Sequence, residues 1–110
     1  MLNRIVLVGR LTSDPEIRYV SDTGTALTKF RIAVDRRFQG QKGEKKTDFI
    51  PVVTWGKLAE RCKEFLVKGQ MVGVDGELQI REWDTPQGEK RRMAEVRADD
   101  VRFLSRPAAG

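Results

Sequence analysis

A chain of 110 residues fits one domain, and 21 Lys plus Arg against 16 Asp plus Glu, a formal charge of +5, point to a polyanionic partner, nucleic acid first. It has no histidine and a single cysteine, Cys62, which excludes an intrachain disulfide, a Cys/His zinc site and Ser/His or Cys/His nucleophile pairs. No stretch approaches the roughly 18 apolar residues of a membrane span, and no secretory signal is legible, so a cytoplasmic, nucleoid-associated, non-catalytic protein without metal or cofactor is expected.

Residues 4–11 (RIVLVGRL) are apolar on both faces at Ile5, Val6, Leu7 and Val8, a strand that needs cover on both sides. One face can enter a core, and the other requires a further partner. Asp14 and Pro15 break the run, and residues 21–25 (SDTGT) form a turn cluster. Residues 27–35 alternate, with Thr28, Phe30, Ile32 and Val34 on one side and Lys29, Arg31, Ala33 and Asp35 on the other, the pattern of a half-buried strand. Residues 36–46 (RRFQGQKGEKK) set two Arg and three Lys against one Glu around Phe38, a basic, glycine-containing loop.

A third strand is expected over residues 47–55, with Phe49, Pro51, Val53 and Trp55 on one face and Ile50, Val52 and Thr54 on the other. Pro51 removes a ladder donor and favours an edge or bulged position. The period then changes. Leu58, Ala59, Cys62, Phe65 and Leu66 form an apolar helical stripe ended by Lys68 and Gly69. Residues 70–83 read as a long bent strand, with Gly73 and Gly76 where a barrel must kink. The turn DTPQG follows at 84–88, and a last strand over 89–103 puts Val96 and Ala98 on one face and Met93, Glu95 and Arg97 on the other. Residues 1–104 are expected to be one domain and 105–110 a short flexible remnant. Three strands, a helix and two strands give an all-β fold with one helix: the OB-fold, a five-stranded Greek-key barrel with its helix between strands 3 and 4.

Holding a flexible single strand without reading sequence takes flat rings for bases and cations for phosphates. Phe38 lies in the basic loop. Phe49 and Trp55, six apart on one strand, share a face. Trp83 ends a strand on the side of Gln79 and Arg81. Burial is the competing reading, strongest for Phe49 and Trp55 beside Val53. Phe30, Phe65 and Phe103 are assigned to the core, Tyr19 is left open, and Cys62 is read as a small core residue. The candidate phosphate contacts are Arg36, Arg37, Lys42, Lys45 and Lys46 in the loop and Lys90, Arg91 and Arg92 beside the last hairpin. Arg4, Arg10, Lys57 and Arg81 complete the set. For any single cation the competing reading is a solvated surface.

The blocks NRIVLVGRLTSDPEIRYV, ALTKFRIAVDRRF, VVTWGKLAERCKEFLVKGQMVGVDGEL and REWDTPQGE, in that order, resemble bacterial single-stranded-DNA-binding proteins over about residues 1–104. The resemblance implies an OB-fold, a homotetramer and base stacking on rings matching Phe38, Phe49, Trp55 and Trp83. Family members often carry Trp where this chain has Phe38 and Phe49, and Phe where it has Trp55. Subunits of the family associate through strands in the region of residues 4–11, which would cover the second apolar face. Replication members end in a tail with an acidic tip that recruits protein partners. Residues 106–110 carry no such tip, so recruitment by that route is not expected.

The expected function is sequence-independent binding and protection of single-stranded DNA in replication, recombination or repair. The alternatives are an RNA-binding or primosome-type OB module, a short paralogue serving DNA uptake, and an assembly protein whose rings contact protein. A nuclease would need an acidic metal cluster that the sequence does not offer.

Overall fold

The computed structural model describes residues 1–37 and 46–104. Phe38, Lys42, Lys45 and the expected remnant 105–110 lie outside the described residues. The alternation in the second predicted strand builds the inner wall. Thr28, Phe30 and Ile32 are buried, while Lys29 and Arg31 face solvent. The elements are β1 (Ile5–Leu11), β2 (Glu16–Tyr19), β3 (Ala26–Asp35), β4 (Thr47–Trp55), α1 (Gly56–Phe65), β5 (Met71–Asp84) and β6 (Lys90–Phe103).

The strands are ordered β1-β5-β6-β4-β3-β2, and β1 also pairs with β3 through Arg10↔Ala33 and Leu11↔Ile32. That last pairing closes β1, β5, β6, β4 and β3 into the expected five-stranded ring. The sixth strand, β2, hangs outside it on β3 alone. Four residues directly after Asp14-Pro15 are too short a run to reveal a strand by period. Two glycines permit the closure. A Cβ at Gly9 would stand 2.5 Å from the Ala33 carbonyl oxygen, and one at Gly76 would stand 2.0 Å from that of Arg97. The β5–β6 ladder shifts register between Asp75 and Gly76, while Gly73 pairs in step with Arg102. Of the two glycines expected to kink this strand, Gly76 is the one at the irregularity.

Ile32, Val52, Val72, Val74, Val96 and Val101 fill the ring, and α1 plugs it with Ala59, Cys62 and the adjoining Leu66. Two buried hydroxyls fix the plug without an unpaired polar group. Thr28 Oγ1 donates to the Ala59 carbonyl at 2.8 Å, and Thr54 Oγ1 donates to the Thr28 carbonyl at 3.2 Å. Phe65 departs from expectation, being 52% exposed. The helix ends there and the backbone turns extended at Leu66, so Leu66 takes the inner place. Phe65 leans instead on the half-buried Phe103, ring centroids 6.5 Å apart, and the Arg61 guanidinium lies 5.4 Å from the Phe103 centroid. On β1, Val6 and Val8 remain exposed, the uncovered second face that the sequence announced. Among the described residues no helix is long and apolar enough to cross a membrane, and no group of three or more His, Cys, Asp or Glu could hold a metal ion.

Candidate nucleic-acid interface

The pairing of β3 with β4 assembles one outward face. Leu27 stands opposite Trp55, Lys29 opposite Val53, Arg31 opposite Pro51 and Ala33 opposite Phe49. Cross-strand partners point to the same side, so two rings and two cations share a surface on which only Val53 is buried. Phe49 is 61% exposed and Trp55 39%, so neither belongs to the core. After Trp55, Gly56 takes φ +64, a left-handed turn that suits glycine, and starts α1 at once. The exposed Lys57 of its first turn therefore follows directly on the ring.

β5 and β6 supply the other wall. Trp83 pairs with Arg91 and Arg81 with Met93, and alternation puts all four on one side of the hairpin. Trp83 is 45% exposed. A groove of about 220 Å3 runs between this wall and β4, lined by Lys29, Arg31, Pro51, Val53, Arg81 and Met93 among others. Lys90 and Arg92 pair with Asp84 and Glu82, so they project from the face of the hairpin opposite Trp83.

Many of the predicted cations already hold a carboxylate. Arg36 donates from Nε and Nη2 to Asp48 at 3.0 Å each. This hydrogen-bonded fork holds the Asp48 carboxyl below its ordinary range and raises Arg36 above its own. Arg91 pairs with Glu89 at 3.0 Å, Arg92 with Glu82 at 2.9 Å, Arg4 with Asp75 at 2.5 Å, and Arg81 approaches Glu95 at 3.7 Å. Arg10 donates to the Gly69 carbonyl at 3.1 Å and shares a cross-strand row with Ala33 and Phe49, two strand spacings or about 10 Å from that ring. Arg4 lies toward β5, against Asp75, and is not brought to the rings. Arg37 and Lys46 stand exposed at the mouth of the β3–β4 connection, which a bond from Arg36 N to the Lys46 carbonyl at 2.9 Å draws together.

Three cations on the outer face were absent from the predicted set: Lys29, Arg31 and Arg97, the last opposite Val53 on β6. None makes an ion pair among the described residues. The period-2 pattern already put Lys29 and Arg31 toward solvent. Placing them between the rings needed the β3–β4 register.

Comparison with known proteins bears on this arrangement directly. The model of the single-strand binding protein family matches residues 2–104. The chain belongs to the single-strand binding protein family. It is 52% identical over 110 residues, all of this chain and 72% of the relative, to a single-stranded DNA-binding protein of Caldanaerobacter subterraneus subsp. tengcongensis. It is 48% identical over 103 residues to one from Clostridium tetani, covering 94% of this chain and 70% of the relative. It is also 51% identical over 104 residues to single-stranded DNA-binding protein A of Bacillus subtilis, covering 94% and 60%. The closed ring and its helical plug are the OB-fold of this single-strand binding family, and the exposed rings lie on its outer surface.

Proposed function

We propose that this family member binds single-stranded DNA without reading its sequence and without catalysis, protecting it in replication, repair or recombination. The observation that carries the reading is the outer face of β4: exposed Phe49 and Trp55 flank a groove whose far wall leads to exposed Trp83, with Lys29, Arg31 and Arg97, which make no ion pair among the described residues, alongside. Bases stack on the three rings, with Phe38 as a fourth platform, and phosphates follow the cations. In single-strand binders of this kind each stacked base is worth about 1–3 kcal/mol, which is why several rings are used together.

Lys29, Arg31 and Arg97 supply the first phosphate contacts because none of them holds a carboxylate in an ion pair among the described residues, although Glu16 stands across from Lys29. Arg10, Lys46 and Lys57 extend the track, with Arg37, Lys42 and Lys45 from the loop. Arg36, Arg91 and Arg92 join by exchanging an exposed carboxylate partner for a phosphate, a small cost at the surface, and Arg81 contributes from the groove wall while staying beside the buried Glu95. Lys90 and Arg4 add long-range attraction. Residues 1–104 act as the binding domain. The exposed Val6 and Val8 on β1 support association into a homotetramer, and the reading places the protein in the cytoplasm, on the nucleoid.

Tryptophan emission titrated with oligothymidine at two salt concentrations tests this. Strong quenching is expected, with weaker affinity at the higher salt. Trp55→Ala with Trp83→Ala, read by anisotropy of a labelled oligothymidine because no tryptophan remains, should lose several kcal/mol of binding while the fold persists. An RNA oligomer of matching sequence that competes equally well would argue for an RNA module, and light scattering counts the subunits.

A further inference from the structure

Two acids line the groove: Glu16 of β2 is exposed opposite Lys29, whereas Glu95 is buried. Glu95 of β6 lines the groove with Pro51, Val53 and Met93, and its side chain is only 10% exposed. Such burial of a charge demands compensation. The nearest cation supplies only part of it, because Arg81 Nη1 stands 3.7 Å from Glu95 Oε2, beyond hydrogen-bond reach. The carboxylate therefore keeps acceptor capacity directed into a groove of about 220 Å3.

We propose that Glu95 is a specificity-determining residue of this groove, accepting the exocyclic amino group of one base. It thereby favours cytosine, adenine or guanine over thymine at that nucleotide. The inference rests on the single-stranded DNA reading and refines it. A carboxylate repels phosphate, so the backbone stays at the rim beside Lys29 and Arg31, and what descends toward Glu95 is a base edge. A carboxylate only accepts. Cytosine brings the N4 amino donor, adenine its N6 amino group, and guanine N1–H and the N2 amino group together. Thymine brings a single N–H between two carbonyl oxygens, both repelled by the acid. The effect is a graded preference at one position, laid over stacking that tolerates every base.

The test uses the full chain. Wild-type protein is titrated with oligodeoxycytidine and with an oligomer of equal length built on 2-pyrimidinone, which is cytosine without its amino group. The latter is expected to bind about tenfold more weakly, the size of one hydrogen bond to a charged group. Equal affinities overturn the proposal. In a second arm, Glu95→Gln should lower the ratio of oligodeoxycytidine to oligothymidine affinity by about tenfold. The ratio is read because removing a negative charge raises affinity for every strand alike. An unchanged ratio with both strands bound overturns the role of Glu95 and leaves strand binding standing. Failure of wild-type protein to bind any of the oligomers overturns both readings. Should the variant not fold, the wild-type arm decides alone.

Discussion

Two sets of cations compete for the role of phosphate track, and substitution separates them. Lys29, Arg31 and Arg97 lie on the ring face without ion pairs among the described residues. Arg36, Arg91 and Arg92 belong to the clusters most visible in the sequence but are held by Asp48, Glu89 and Glu82. Each phosphate neutralised on a single strand contributes about −0.7 to the slope of log affinity against log salt. Replacing Lys29, Arg31 and Arg97 by Ala together should therefore flatten the slope by about 2. Between about 50 and about 200 mM salt, the fall in affinity then shrinks by roughly twentyfold. The triple Ala variant of Arg36, Arg91 and Arg92 should flatten it by less than about 1, because those guanidiniums must first release a carboxylate. Both sets are exposed, so stability should hardly change. The assay is tryptophan quenching by oligothymidine at four salt concentrations, with urea melts to verify folding. Equal slopes for the two variants, or a larger change for the second, would refute the argument that pairing decides which cations meet the strand.

Two further predictions concern the scaffold. Gly76→Ala would place a Cβ 2.0 Å from the Arg97 carbonyl oxygen, so a loss of about 1–3 kcal/mol is expected, and an unshifted urea midpoint would show that the bulge can open. Burial pushes the Cys62 thiol up to about 11 from an ordinary 9.0, with a hydrogen bond to Thr54 and the charge of Arg61 opposing. The folded state therefore holds its proton longer than the unfolded chain. This contribution is complete below 9.0 and fades as pH rises toward about 11. Stability should fall across that window by more in the wild type than in Cys62→Ala. The native thiol should also resist a disulfide reagent at pH 8 until the chain unfolds, and rapid labelling of folded protein would contradict the burial.

What the sequence disclosed depended on whether the signal was local. The strand from Thr47 to Trp55 was legible to the residue because its period-2 pattern is bounded by a basic loop on one side and by Gly56 on the other. The exposure of Phe49, Trp55 and Trp83 followed from faces and turns. β2 escaped because four residues carry no readable period. Phe65 was misassigned because a helical stripe does not say where the helix stops, and adjacent Phe65 and Leu66 cannot both face inward. Lys29, Arg31 and Arg97 were missed for a different reason. Their neighbours Phe49, Trp55 and Val53 sit on other strands, and cross-strand rows exist only once register is fixed. The partners that occupy Arg36, Arg91 and Arg92 were hidden in the same sense. A charge cluster in sequence does not report which carboxylates fold against it.

Pro51 shows how a local rule broken in the sheet creates the site. It lies inside the β3–β4 ladder opposite Arg31, yet β4 meets β6 only at Val52↔Val96 and Val53↔Arg97. Pairing with β6 stops at the residue that has no N–H to offer, and from there the groove opens, with Glu95 one residue beyond Val96. Pro51→Val restores a donor and a residue that suits a pleated surface. The ladder should then extend toward Glu95, adding up to about 1 kcal/mol of stability for one net hydrogen bond. The same change narrows the groove, so oligothymidine affinity should fall while the urea midpoint rises. Reduced stability would mean that barrel curvature, not the missing donor, parts the strands. Raised stability with unchanged affinity would mean that the bound strand passes over the rings without entering the groove, leaving Glu95 nothing to read.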